Sequence, residues 1–199
     1  MDQLKQAALS FKKLLNQEYD FIIGRKGVKR EFRITFVESD FHHLCGLHKL
    51  IDISQVQKKD RTKVFEEILS DDIKMETIQK SAFYSEMADR LEALPHLEKM
   101  LDSNDLIFRY CSRKNPWSRI EADFLLEGMI LEKRTFLFVS GITEIKSCVS
   151  FFPFDKTDFS TNQERYTLLE KRKKDIGSKI ITLLFDRNSN KKPDKANHQ

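Results

Sequence analysis

The stretch IEADFLLEGMILEKRTFLFVSGITEIKSCVSFFPF, Ile120 to Phe154, decides the expected fold class. Three segments of it are rich in β-branched, aromatic and aliphatic residues: Ile120 to Leu126, Met129 to Ser140 and Ser147 to Phe154. Glu127-Gly128 and Gly141 to Glu144 have turn composition between them. With Leu106 to Cys111 just upstream, four strands follow one another without a helix. That order favours an antiparallel sheet.

Upstream of this block the periodicity is helical. Segments 61–69, 75–81, 83–93 and 95–101 read as helices, with Pro95 suited to a first turn. Phe41 to Ile51 reads as one more, capped by Ser39 or Asp40. Leu4, Ala8, Phe11 and Leu15 mark an amphipathic helix over 3–17. Between these helices, Tyr19 to Ile23 and Lys29 to Val37 read as strands joined by the turn Gly24-Arg25-Lys26-Gly27. Downstream, Asn162 to Asp175 reads as a helix and Lys179 to Phe185 as a last strand. The expectation is an α+β fold, a helical first half packed on a mainly antiparallel β-sheet. It would form a single domain over 1–186, followed by a mobile polar tail over 187–199 that lacks apolar periodicity.

Composition bounds the function. Of 199 residues 40% are hydrophobic and 16 are Phe, so a core forms without disulfide or metal staples. The net charge of +4 permits contact with a polyanion but is equally that of a mixed solvated surface. Cys45, Cys111 and Cys148 are odd in number and form no C-x-x-C pair, which points to a reducing compartment, with cytoplasm as the default. No run approaches the ~18 apolar residues of a membrane span, and the first residues lack a signal-peptide pattern, so no membrane association is expected. Neither G-x-x-x-x-G-K-[ST] nor G-x-G-x-x-G is present, which argues against the common nucleotide-binding loops.

The most unusual segment is Phe41-His42-His43-Leu44-Cys45-Gly46-Leu47-His48-Lys49-Leu50. On a continuous helix, Phe41, Leu44, His48 and Ile51 share one face and His43, Leu47 and Leu50 an adjacent one, with His42, Gly46 and Lys49 on the polar side. Zinc binding wants histidines four apart; His43 and His48 are five apart and no H-E-x-x-H occurs, so neither metal nor other cofactor is expected. Two uses stay open. The rings are either core histidines satisfied by hydrogen bonds, or imidazoles that exchange protons near neutral pH. Gly46 signals close packing of another backbone, room for a ligand, or a kink.

Several short motifs occur in a fixed order: Phe41-x-His43-Leu44-x-Gly46-Leu47-x-Lys49-Leu50, Lys80-Ser81-x-Phe83, Ile120-x-Ala122-Asp123-Phe124-Leu125-Leu126, Val149-Ser150-Phe151-Phe152, and Asn162-Gln163 to Tyr166 with Leu168-Leu169. In these the chain resembles the phage-associated branch of the Barnase–EndoU–Colicin–RelE-like nucleases, the fourth group of that series. The resemblance runs from about residue 5 to 175. It implies a helical part followed by a four-stranded antiparallel sheet whose concave face binds RNA.

It also implies metal-independent RNA cleavage, in which the substrate's 2′-hydroxyl attacks phosphorus. A base must take that proton, an acid must protonate the departing oxygen, and cations must stabilise the added charge. On this reading His43, at the family's histidine position, is the first acid or base candidate and His48 the second. Lys80 and Asp123 complete the catalytic candidates; Asp123 would orient a histidine or act as base, or else pair with a lysine or arginine of a neighbouring strand. Lys49, Arg119, Ser150 and Tyr166 are the substrate-binding candidates, Tyr166 by stacking on a base. Solvated charges at Lys49, Lys80 and Arg119, and a core position for Tyr166, are the structural alternatives. Trp117, after Arg113-Lys114-Asn115-Pro116, is either an RNA contact or a core anchor. The expected partner is RNA, together with a neutralising antitoxin or a host or phage protein if the chain acts as a toxin or in phage–host conflict. The alternative is a non-catalytic RNA- or protein-binding module, including a phage defence or counter-defence factor.

Overall fold

A computed structural model of the chain describes residues 2–103 and 106–189. In chain order its elements are α1 (Gln3–Leu14), β1 (Gln17–Arg25), β2 (Val28–Ile34), α2 (Glu38–Leu44), a 3-10 turn (Leu47–Lys49), α3 (Ser54–Gln57), α4 (Arg61–Leu69), α5 (Met75–Ile78), α6 (Ser85–Ala93), a second 3-10 turn (Leu94–His96), α7 (Leu97–Ser103), β3 (Leu106–Arg109), a third 3-10 turn (Ser112–Lys114), β4 (Phe124–Ile130), β5 (Lys133–Ser140), β6 (Ile145–Pro153), β7 (Glu164–Asp175) and β8 (Ile181–Asp186).

The sheet is closed. Hydrogen-bonded neighbours run β1-β2-β6-β5-β4-β3-β7, and β7 pairs back onto β1, so seven strands form a barrel; β8 adds to β7 outside the ring. Every pairing is antiparallel except the short parallel contact of β2 with β6, Arg33 opposite Ile145 and Ile34 opposite Lys146. The expected helical first half on an antiparallel sheet is therefore corrected: two strands of the first half are barrel staves, and the sheet has no open four-stranded concave face.

β7 is the chief reason. Asn162 to Asp175 was expected to be a helix, and its Glu, Lys, Arg and Leu content favours one. Instead 164–175 is a single strand paired with β1, β3 and β8. Tyr166 and Leu168 are buried alternately with exposed Arg165 and Thr167, as in a strand. At Leu169 the register to β1 shifts, Ile23 facing Leu168 and Ile22 facing Glu170. This bulge breaks the two-residue alternation, so the strand pattern fades halfway along the sequence.

The β1–β2 hairpin turns at Lys26-Gly27, both at positive φ (50° and 79°), the geometry of a tight two-residue hairpin. The β4–β5 hairpin turns at Leu131-Glu132, also at positive φ, rather than at Glu127-Gly128. Gly128 lies within β4 because Met100 of α7 packs on it: a Cβ there would stand 2.7 Å from Met100 Cγ.

The main core joins barrel and helices. Phe21 stacks on Phe32 (4.9 Å between ring centres) and Phe32 on Phe124 (4.5 Å). Beyond them, Phe11 of α1 meets Phe36, Phe41 and Phe65. A smaller cluster of Leu125, Phe136, Phe138, Tyr110 and Phe159 covers the opposite face of β4 and β5. Among the described residues no helix is long and apolar enough to cross a membrane. Residues 190–199 of the expected polar tail lie outside the described residues, and β8 reaches Asp186 before them.

Because Phe32 is sandwiched between two rings across three strands, Phe32→Ala is expected to cost about 3–5 kcal/mol of unfolding free energy. Urea denaturation followed by circular dichroism measures it; a loss below about 1 kcal/mol would mean that the stack does not hold the barrel.

Candidate functional site

The histidine segment is not one helix. α2 stops at Leu44, Gly46 takes the left-handed conformation (φ 90°), and Leu47 to Lys49 form a separate 3-10 turn. The faces expected for a continuous 41–51 helix are thus rearranged. His42, placed on the polar side by sequence, is buried and hydrogen-bonded through Nε2 to the Val56 carbonyl at 3.2 Å. Ile51, placed with Phe41, is exposed. Asp40, offered as a helix cap, accepts the Val37 N–H from inside the first turn.

The break at Gly46 folds His48 back onto His43. The two rings stack with centres 4.0 Å apart and planes 15° from parallel. Gly46 is needed twice, for its positive φ and because a Cβ would lie 2.8 Å from Met87 Cβ and 2.9 Å from Arg90 Cδ of α6. Close backbone packing is the role that Gly46 fills, and it brings Arg90 beside the imidazoles. The Arg90 guanidinium lies over the Phe152 ring of β6, 4.8 Å from its centre. Its Nη1 and the Nδ1 of His48 are shut off from solvent, and neither has a hydrogen-bond partner among the described residues.

These surroundings set the protonation states. Burial, then the Arg90 charge, pushes His43 down to about 4. Burial, then His43, then Arg90 push His48 down to about 3. Burial lowers Arg90 only to about 10, so it stays a cation at neutral pH. The resting site is a neutral imidazole pair beside a positive charge, in a cavity that Arg90 shares with Glu86, Asp89 and Asp155.

The remaining candidates are scattered. Lys49 is half-buried, with its Nζ 3.9 Å from a Glu86 carboxylate oxygen. Ser150 is buried on β6 opposite Phe138, two residues before Phe152 and so on the same side of the strand. Lys80 and Arg119 are exposed, and neither forms an ion pair among the described residues. Trp117 is exposed too.

Asp123 pairs with Lys146 (2.8 Å), the interstrand salt bridge weighed as its structural alternative. Tyr166 is buried, its ring 6.0 Å from that of Phe124, the core position named as its structural alternative. Both line a cavity with Arg30, Arg109, Tyr110 and Lys146 that no described histidine lines. Among the described residues no group of three or more His, Cys, Asp or Glu side chains is disposed to hold a metal ion.

Arg90 was missed from sequence although a signal existed. Met87, Arg90, Leu91 and Leu94 follow the i, i+3, i+4, i+7 spacing of a buried stripe, and an arginine in such a stripe asks for an explanation. Lys146 is the strand counterpart, in step with buried Cys148 on β6.

Depressed histidines make stability pH-dependent. Below the ordinary value near 6.5 the unfolded chain takes up protons that folded His43 and His48 refuse, so their effect is to reduce stability as pH falls from 6.5 towards 4. Asp40, which burial raises to about 6, acts oppositely over the same range. It is common to the protein and a His48→Gln variant and cancels between them. Between pH 7 and 5 the variant's melting temperature should fall less than that of the parent chain; parallel curves would contradict the depressed histidines.

The family model for phage-Barnase-EndoU-ColicinE5/D-RelE like nuclease4 matches residues 3–188. No curated protein and no solved structure matches the chain. The matched span takes in every strand of the barrel, the His43–His48 stack and Arg90. With nearly the whole described chain inside one family model, this protein belongs to the phage-Barnase-EndoU-ColicinE5/D-RelE like nuclease4 family.

Proposed function

We propose that this nuclease-family chain is a metal-independent ribonuclease, with His43 and His48 as its proton-transfer pair and Arg90 as its phosphate-binding cation. The observation that carries the reading is the stacked pair of imidazoles, 4.0 Å apart, beside a guanidinium whose Nη1 has no partner among the described residues.

A buried donor left unmade costs about 1–3 kcal/mol, more for a charged group. Because Nη1 is closed to solvent, a phosphodiester oxygen would remove that cost only in an opened form of the site. It would also offset the positive charge that, after burial, holds His43 low, so proton affinity rises where the substrate arrives. The 2′-hydroxyl then gives its proton to His43 and attacks phosphorus. Arg90 stabilises the extra negative charge as the bond to the 5′-oxygen breaks. The proton held by the pair returns to that oxygen, leaving a 2′,3′-cyclic phosphate and a 5′-hydroxyl. Rings this close titrate as one unit rather than as two sites. Action as a toxin or in phage–host conflict is part of this proposal and leans on the phage-type family rather than on any residue.

The same low proton affinity supports a second reading, a module that binds RNA or a protein without turnover.

Purified protein incubated with RNA and EDTA should yield cyclic phosphate ends and leave an all-deoxy strand intact. His43→Ala should reduce the rate by about 100-fold or more, with its melting temperature little changed. Cleavage unaffected by His43→Ala would overturn the assignment, and tight RNA binding by an inert parent protein would select the second reading.

A further inference from the structure

The mouth of the barrel collects charges that the histidine site does not use. Lys146 of β6 is 8% exposed, and its Nζ donates to Asp123 Oδ2 at 2.8 Å and to the Gly141 carbonyl at 2.7 Å. The same ammonium stands 5.9 Å from the centre of the Phe124 ring. Asp123 Oδ2 also accepts the Gly141 N–H at 3.1 Å. Lysine and carboxylate thus satisfy one another.

Around this pair the strands add cations with no such duty. Arg30 of β2 and Arg109 of β3 converge on the cavity, of about 270 Å³, that also holds Asp123, Lys146, Phe124 and Tyr166. Both arginines are exposed, and neither forms an ion pair among the described residues. Three cations less one carboxylate leave an excess of two positive charges. Glu31 and Glu144 border the adjoining hollow, where Glu31 is engaged by Lys29 at 3.1 Å. Two unpaired guanidinium groups over an aromatic floor focus a positive potential, and barrel mouths are favoured places for ligands. Planar guanidinium forks match phosphate oxygens in pairs.

We infer that the barrel mouth is a phosphate-binding site, with Arg30 and Arg109 as the primary donors and the Lys146–Asp123 pair as a fixed wall. The site lies apart from the imidazoles. No described histidine lines this cavity, and the Phe152 beneath Arg90 lies on the far side of the β6 bulge from Lys146. The phosphate is either one unit of a nucleic-acid strand or a free anion. The inference does not require His43 or His48 to be catalytic.

The test uses the full chain and a fluorescein-labelled 2′-O-methyl oligoribonucleotide, which has no free 2′-hydroxyl to attack. Anisotropy titrations over a salt series compare the parent protein with R30A/R109A and R30K/R109K. If the site holds a strand, R30A/R109A binds more weakly and the slope of log affinity against log salt falls by about 1.4, two phosphates at ~0.7 each. The lysine variant should keep most of the slope. In a second arm, inorganic phosphate is added while the amide resonances of Gly141 and Lys146 are followed. Shifts in the parent chain but not in R30A/R109A, with the oligonucleotide arm unchanged, assign the site to a free anion. If neither ligand distinguishes the alanine variant from the parent, the site does not exist. Since nothing is cleaved in either arm, a failure here is separate from a failure of the ribonuclease proposal.

Discussion

The twelve residues of β7 hold the molecule in its shape. Lys171 to Lys174 face β1 on one side and β8 on the other, while Glu164 to Tyr166 pair with β3. Without that strand the hairpin β1–β2 would meet the rest of the sheet only through its two-residue parallel contact with β6. β7 is also tied to the helical layer: Lys171 is buried, its ammonium donating to the Leu101 carbonyl at 2.7 Å, and Lys173 bridges Glu98 and Asp102 of α7. A charged strand can sit at this junction because several of its lysines have designated acceptors.

Closure of the barrel fixes where the helices can lie, and one glycine sets how closely two of them meet. Gly46 ends α2 and admits α6 to near-contact with its backbone. The approach carries Arg90 against Phe152 and beside two imidazoles that burial already keeps neutral. An arginine with an unpartnered nitrogen next to such rings is a poor device for stability, since cation and desolvated bases gain nothing from each other. On the proposed reading an anion at the site would make it favourable.

Much of this was legible from residues alone, and the failures share a cause. The helix over 61–69 and the β1–β2 hairpin were readable because periodicity and turn chemistry agree there. His43 and His48 stood out through their segment, yet their stacking depends on the left-handed Gly46, which a helical wheel does not anticipate. β7 was misread since a bulge at Leu169 interrupts its alternation and its composition favours a helix. The turn was misplaced at Gly128, where the missing side chain serves Met100 of a distant helix. Arg90, Arg30 and Arg109 were overlooked because their meaning arises only from what other elements bring beside them. Wherever long-range packing competes with local preference in this chain, packing wins.

The histidine site has one direct reporter, the imidazole ring protons of His43 and His48. Their nuclear magnetic resonance titration, without and with a saturating 2′-O-methyl oligonucleotide, reads the proton affinity of the pair in both states. The account requires both rings of the free protein to titrate well below 6.5 and the bound pair to take up its first proton about one pH unit higher or more. Rings that titrate near 6.5 in the free protein, or that ignore the bound phosphates, would contradict it.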